Sequence, residues 1–123
     1  MSAELESPRP RRRVLLVDDA PDERLLLRVQ LELLGVEFSE AASGKEALLL
    51  CDGDPFDLVV LDQRMPGMSG IEVAKRLREE RCPTPIILYT NHPSPGLQNE
   101  AGELDIPVIE KREIERLADA VAG

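Results

Sequence analysis

Leu58, Val59, Val60 and Leu61 run without a break into Asp62, and a turn of Met65, Pro66, Gly67, Met68, Ser69 and Gly70 follows. An apolar run this short, closed by turn residues, predicts a strand buried on both faces, the kind found in parallel sheets. A carboxylate at its C-terminal end lies at the mouth of such a sheet, where open α/β folds carry their chemistry. Taken alone, an Asp in this place is more often a turn former or a helix cap. The remainder of the chain has to decide between the two.

Similar runs recur. Val14–Val17 ends in Asp18-Asp19, the alternating stretch 36–42 reads as a strand with one face nearer solvent, Ile86–Tyr89 ends in Thr90, and Ile106–Ile109 ends in Glu110-Lys111. Helical patterns separate them. Ala20-Pro21 opens the first, with Asp22 and Glu23 favourable to the helix dipole and Gly35 as its stop. Leu27, Leu31 and Leu34 share its inner face, which Leu26, Val29 and Leu33 are expected to widen. Ser43 and Glu46 have the spacing of a capping box ahead of a short second helix. The third spans about residues 70–81 with Ile71, Ala74 and Leu77 inward. The fourth, between Pro95 and Leu104, is short or irregular because Pro93, Pro95, Gly96 and Gly102 punctuate it. The last places Ile114, Leu117, Ala118 and Val121 on one face. Five strands alternating with five helices predict an α/β, flavodoxin-like three-layer sandwich, with a five-stranded parallel sheet of order 2-1-3-4-5.

The 123 residues suit one hydrophobic core, expected over residues 13–123. Residues 1–12 read as a disordered basic and Pro-rich lead-in. Over residues 1–13, Arg9, Arg11, Arg12 and Arg13 stand against Glu4 and Glu6, so the remaining chain is more acidic than the overall −9. Such a domain is a poor direct binder of nucleic acid, whose affinity comes from neutralising phosphates. No apolar run approaches the ~20 residues of a membrane span. Cys51 and Cys82 lack metal-ligand spacing, and without a secretory signal they are expected to be free thiols in the cytoplasm.

The strand ends gain meaning together, since a parallel sheet brings all of them to one edge. In the order 2-1-3-4-5, strands one and three are neighbours, so Asp18, Asp19 and Asp62 converge, with Thr90 and Lys111 beyond Asp62. Carboxylates so close repel unless a cation intervenes. A hard divalent ion with few protein ligands and several waters suits Mg²⁺ better than Ca²⁺. In that setting Asp62 can attack phosphorus, the Lys111 ammonium can neutralise phosphoryl oxygens, and Thr90 can donate a hydrogen bond to one.

The segments VLLVDD, LVVLDQRMPGMSG, IILYT and VIEK resemble the receiver domain of two-component response regulators, over about residues 13–122. The resemblance implies that Asp62 is the phospho-acceptor, that Asp19 ligates Mg²⁺ directly and Asp18 largely through water, and that the Arg64 backbone carbonyl adds a ligand. Thr90 becomes the switch hydroxyl and Lys111 the phosphate-binding lysine. The donor it implies is a phosphohistidine on a sensor histidine kinase or a histidine phosphotransfer protein. Enzymatic activity is then limited to self-phosphorylation from a donor and slow self-dephosphorylation.

Three positions depart from the family pattern. Arg112 follows Lys111 where the family usually has Pro in a cis bond; a non-proline cis bond costs ~3–4 kcal/mol, so a trans bond is predicted. Val108 stands where the family's switch uses an aromatic ring, and Asn91 replaces a small residue after Thr90. Arg64 and His92 flank the expected site, where either is a solvated side chain or a modulator of the phosphoryl group. Only twelve residues follow Lys111, enough for the last helix, so a single-domain regulator is expected, signalling through an unknown downstream protein or a homodimer. A phosphorylation-independent pseudo-receiver is the alternative, favoured by the missing Pro and aromatic but not by the complete set of acids, Thr90 and Lys111. A metal-dependent phosphatase of the haloacid-dehalogenase type is more distant, because its nucleophile lies in an Asp-x-Asp motif and here the acids are adjacent.

Overall fold

The computed structural model describes residues 11–91 and 93–123. The lead-in expected over residues 1–12 therefore lies outside the described residues up to position 10, as does His92. Five strands alternate with five helices: β1 (Arg13–Val17), α1 (Pro21–Leu31), β2 (Glu37–Ala41), α2 (Gly44–Cys51), β3 (Leu58–Leu61), α3 (Gly70–Glu79), β4 (Ile86–Thr90), α4 (Pro95–Glu103), β5 (Val108–Glu110) and α5 (Ile114–Ala122). The strands form one parallel sheet of order β2-β1-β3-β4-β5, as the alternation predicts.

The two-residue period of the strands divides the core into two layers. Leu15, Val17, Val59, Leu61 and Leu88 pack with residues of α2, α3 and α4 on one face. Val14, Leu16, Val60, Ile87 and Tyr89 pack with α1 and α5 on the other. Helices cover both faces because β3 and β4 are apolar on both sides, and either face left in water would forfeit its burial.

Several local expectations change. Leu31 is the one buried residue of α1, with Leu27 partly buried beside it, while Leu26, Val29 and Leu33 are exposed rather than widening the inner face. The α-helix ends at Leu31 and tightens into a 3₁₀ turn over Glu32–Leu34. Leu34, expected on the inner face with Leu27 and Leu31, is exposed as well. At α2 the Ser43 hydroxyl accepts from the Glu46 N–H, but the reciprocal capping box belongs to Ser69 and Glu72 at the start of α3. β5 begins at Val108 rather than Ile106, because the Ile106 N–H bonds the Ala101 carbonyl at the end of α4 and Pro107 has no N–H to give. α4 is short, as expected, and regular, capped by the Ser94 side chain on Leu97 N–H. Arg12 is held by hydrogen bonds to the carbonyls of Val121 (3.0 Å) and Ala120 (3.5 Å) near the end of α5.

Candidate active site: a carboxylate cleft at the sheet's C-terminal edge

The register Val17↔Leu61 sets Asp18 and Asp62 side by side, each one residue past its strand. The ladder carries on through them, since the Asp62 N–H bonds the Val17 carbonyl at 2.9 Å and the Asp18 N–H bonds the Ala41 carbonyl at 3.1 Å. Thr90 ends β4, and its carbonyl accepts from the Lys111 N–H at 2.9 Å, which brings the lysine to the same edge. Asp19, Glu23, Asp62, Arg64, Thr90, Asn91 and Lys111 line a cleft of about 300 Å³.

Lys111 organises the charge. Its Nζ lies 3.5 Å from Asp62 Oδ1, 3.6 Å from Asp18 Oδ2 and 3.2 Å from Glu23 Oε2. Burial alone would lower the ammonium's pKa, but these three carboxylates more than offset it and hold it above the ordinary lysine value. Asp62 is almost fully buried. That burial raises its pKa, although the Lys111 charge and hydrogen bond oppose the rise. Burial is also the largest cause at Asp18, where the Ala20 N–H lowers, and Asp62 and Glu23 raise, a pKa that ends at about 6. Glu23 is held below the usual carboxylate range by hydrogen bonding to Asp18 and then to Lys111.

Asp18 stores a measurable cost. Its folded-state pKa, about 6, lies above its ordinary 3.8, so between those values the fold binds more protons than the unfolded chain. Stability from this group is therefore greatest at low pH and is lost as pH rises towards about 6. Metal-free Asp18→Asn should be more stable than wild type at pH 7 by at most about 3 kcal/mol. Urea unfolding at several pH values checks this, and a difference between the two proteins that stays flat from about pH 4 to about pH 7 would contradict it.

One member of the site was missed from the sequence. Carboxylate oxygens of Asp18, Glu23 and Asp62 all lie within 4.8 Å of one another, whereas Asp19 lines the cleft without joining that group. Glu23 read as a helix-dipole residue. The signal lay in its position on the first turn of a helix that starts at the sheet's C-terminal edge. Three oxygen donors so close fit a hard divalent cation. The turn after Asp62 is fixed by Gln63, whose carbonyl accepts from Gly70 N–H (3.1 Å) and whose side-chain oxygen accepts from Ile71 N–H (2.8 Å). No peptide bond among the described residues is cis, so the Lys111–Arg112 bond is trans as Arg112 predicts.

Residues 14–122 match the family model described as "Response regulator receiver domain". The chain belongs to this family. Among solved receiver structures, response regulator TrrA from Thermotoga maritima, in complex with Mg²⁺-BeF, superposes with a TM-score of 0.78 at 35% identity, over 89% of this chain and 96% of that one. Sensor protein EvgS of Escherichia coli is 42% identical over 73 residues, 59% of this chain and 6% of EvgS. Transcriptional regulatory protein TcrA of Mycobacterium tuberculosis is 40% identical over 78 residues, 63% of this chain and 31% of TcrA. The matched stretch thus covers a third or less of these curated relatives. The receiver domain is a signalling module rather than a conventional enzyme. No helix among the described residues is long and apolar enough to cross a membrane, and both cysteines are free.

Proposed function

We propose that this receiver domain accepts a phosphoryl group on Asp62 from a phosphohistidine of a sensor kinase or phosphotransfer protein, in a Mg²⁺-dependent reaction, and signals through altered protein contacts. The observation that carries this reading is the Lys111 ammonium set between Asp62 and Asp18, 3.5 and 3.6 Å away, at the edge of a buried parallel sheet. An Asp62 oxygen attacks phosphorus as the phosphorus–nitrogen bond to the donor imidazole breaks. The electron pair of that bond stays on the imidazole nitrogen, which takes up a proton. The phosphoryl group brings its negative charge in among the cleft's carboxylates. Lys111 pairs with one of its oxygens, and the hydroxyl of Thr90, a buried residue that lines the cleft, donates to another. Asp18, Asp19 and Asp62, with the Arg64 carbonyl and the nearby Glu23, would hold Mg²⁺, which when bound neutralises charge on the transferring group.

The partner is expected to approach over α1. That helix carries Glu23 at the cleft and exposes Leu25, Leu26 and Val29, apolar area of the kind a protein partner covers. The cytoplasm, where the thiols of Cys51 and Cys82 stay reduced, is the proposed compartment. Incubation with acetyl phosphate and Mg²⁺, followed by intact-mass measurement and peptide mapping, tests the reading. One added phosphoryl group at Asp62 is the expected result. No uptake from any donor would favour the phosphorylation-independent alternative.

A further inference from the structure

We infer that Tyr89 is a positioning residue for Lys111: its hydroxyl fixes the peptide that follows the lysine, and so aims the ammonium at Asp62. The inference rests on the phosphoryl-acceptor reading of that site and adds a residue to it. The last rung between β4 and β5 is Thr90↔Glu110. Beyond it the sheet holds Lys111 only through its N–H, bonded to the Thr90 carbonyl at 2.9 Å. The Lys111 carbonyl leaves the ladder and accepts a hydrogen bond from Tyr89 Oη at 2.9 Å. Both peptide units flanking the lysine Cα are thereby tied to two adjacent residues of β4, one through a backbone carbonyl and one through a side-chain hydroxyl.

Tyr89 suits this work. It is 8% exposed, and its ring packs in the core layer shared with α5. A buried tyrosine hydroxyl needs a partner, and the Lys111 carbonyl supplies it. The loop offers no comparable tie from the next residue, since among the described residues the largely exposed Arg112 side chain pairs with Glu110 two positions away. A lysine side chain is long and flexible. Its reach to Asp62 therefore depends on where its own backbone is held.

The test measures beryllofluoride affinity, by ¹⁹F NMR with Mg²⁺ present, for wild type, Tyr89→Phe and Val121→Ala. Tyr89→Phe keeps the ring and removes only the hydroxyl. Val121→Ala truncates a fully buried residue of the same core layer, on α5 and outside the cleft lining, and so controls for destabilisation. Urea unfolding ranks the stabilities. Tyr89→Phe should weaken beryllofluoride binding about three- to tenfold, the value of one hydrogen bond. Val121→Ala should change it by less than about twofold while unfolding at lower urea. Unchanged affinity in Tyr89→Phe, or an equal loss in Val121→Ala, overturns the positioning role and leaves the acceptor reading intact. Wild-type protein that binds no beryllofluoride overturns both.

Discussion

Asp62→Asn should take up no phosphoryl group from acetyl phosphate or from a phosphohistidine donor, and should melt at a higher temperature than the metal-free wild type. The first effect follows from chemistry. An amide lacks the anionic oxygen that attacks phosphorus, and among the described carboxylates lining the cleft Asp62 is the buried one, 3.5 Å from Lys111 Nζ. The second follows from burial. Asp62 has a raised pKa in spite of Lys111, so ionising it in the fold is harder than in the unfolded chain. Its contribution to stability therefore declines as pH rises from the ordinary aspartate range through the raised value, and at neutral pH it is unfavourable. The amide removes that cost. Lys111 keeps Glu23 at 3.2 Å and Asp18 at 3.6 Å, so the substitution does not strand the ammonium. Intact-mass measurement and thermal melts at pH 7 read the two effects on the same samples. Uptake that persists in the variant would place the acceptor elsewhere, and a lower melting temperature would show that pairing with Lys111 outweighs burial.

Gly70→Ala should be both destabilised and defective in phosphoryl uptake. A Cβ at Gly70 would lie 2.4 Å from the Asp62 carbonyl oxygen, 3.1 Å from its carbonyl carbon and 2.9 Å from Leu88 Cδ2. The first contact is with backbone, which cannot swing aside as a long side chain can. Either α3 backs away from the sheet or the peptide after Asp62 moves, and both disturb tightly packed core. A cost of about 2–4 kcal/mol is expected, at the upper end of overpacking effects. Because the displaced peptide belongs to Asp62 itself, the carboxylate should also lose its alignment with Lys111. Gly102→Ala in α4 is the control. A Cβ there meets nothing within 4 Å, and removing a helical glycine should stabilise by up to about 1 kcal/mol. Urea unfolding with a phosphorylation assay separates them. A Gly70→Ala protein of wild-type stability would mean that the close approach of α3 to Asp62 is not rigid.

The sequence by itself determined the strand count, their parallel order and the edge of the sheet at which Asp18, Asp62, Thr90 and Lys111 gather. The reason is that four-residue apolar runs ending in Asp18, Asp62, Thr90 and Lys111 can be buried only in a sheet covered on both faces. Periodicity also named the inward residues of α3 and α5. On α1 it named Leu27 and Leu31 but drew the inner face too wide, because Leu26, Val29, Leu33 and Leu34 are apolar too and hydropathy alone cannot say how much of the helix the sheet covers. The tertiary structure decided that, by seating α1 on the sheet through Leu27 and Leu31. It also decided which side chains share the cleft. Glu23 reaches Lys111 across 88 positions of chain, and Tyr89 reaches the Lys111 carbonyl across 22. Neither pairing leaves a local pattern, because each depends on side-chain direction and on how α1 and β5 are set against the sheet. Local spacing could place Asp62 at the sheet's edge, but only the assembled sheet shows what holds Lys111 over it.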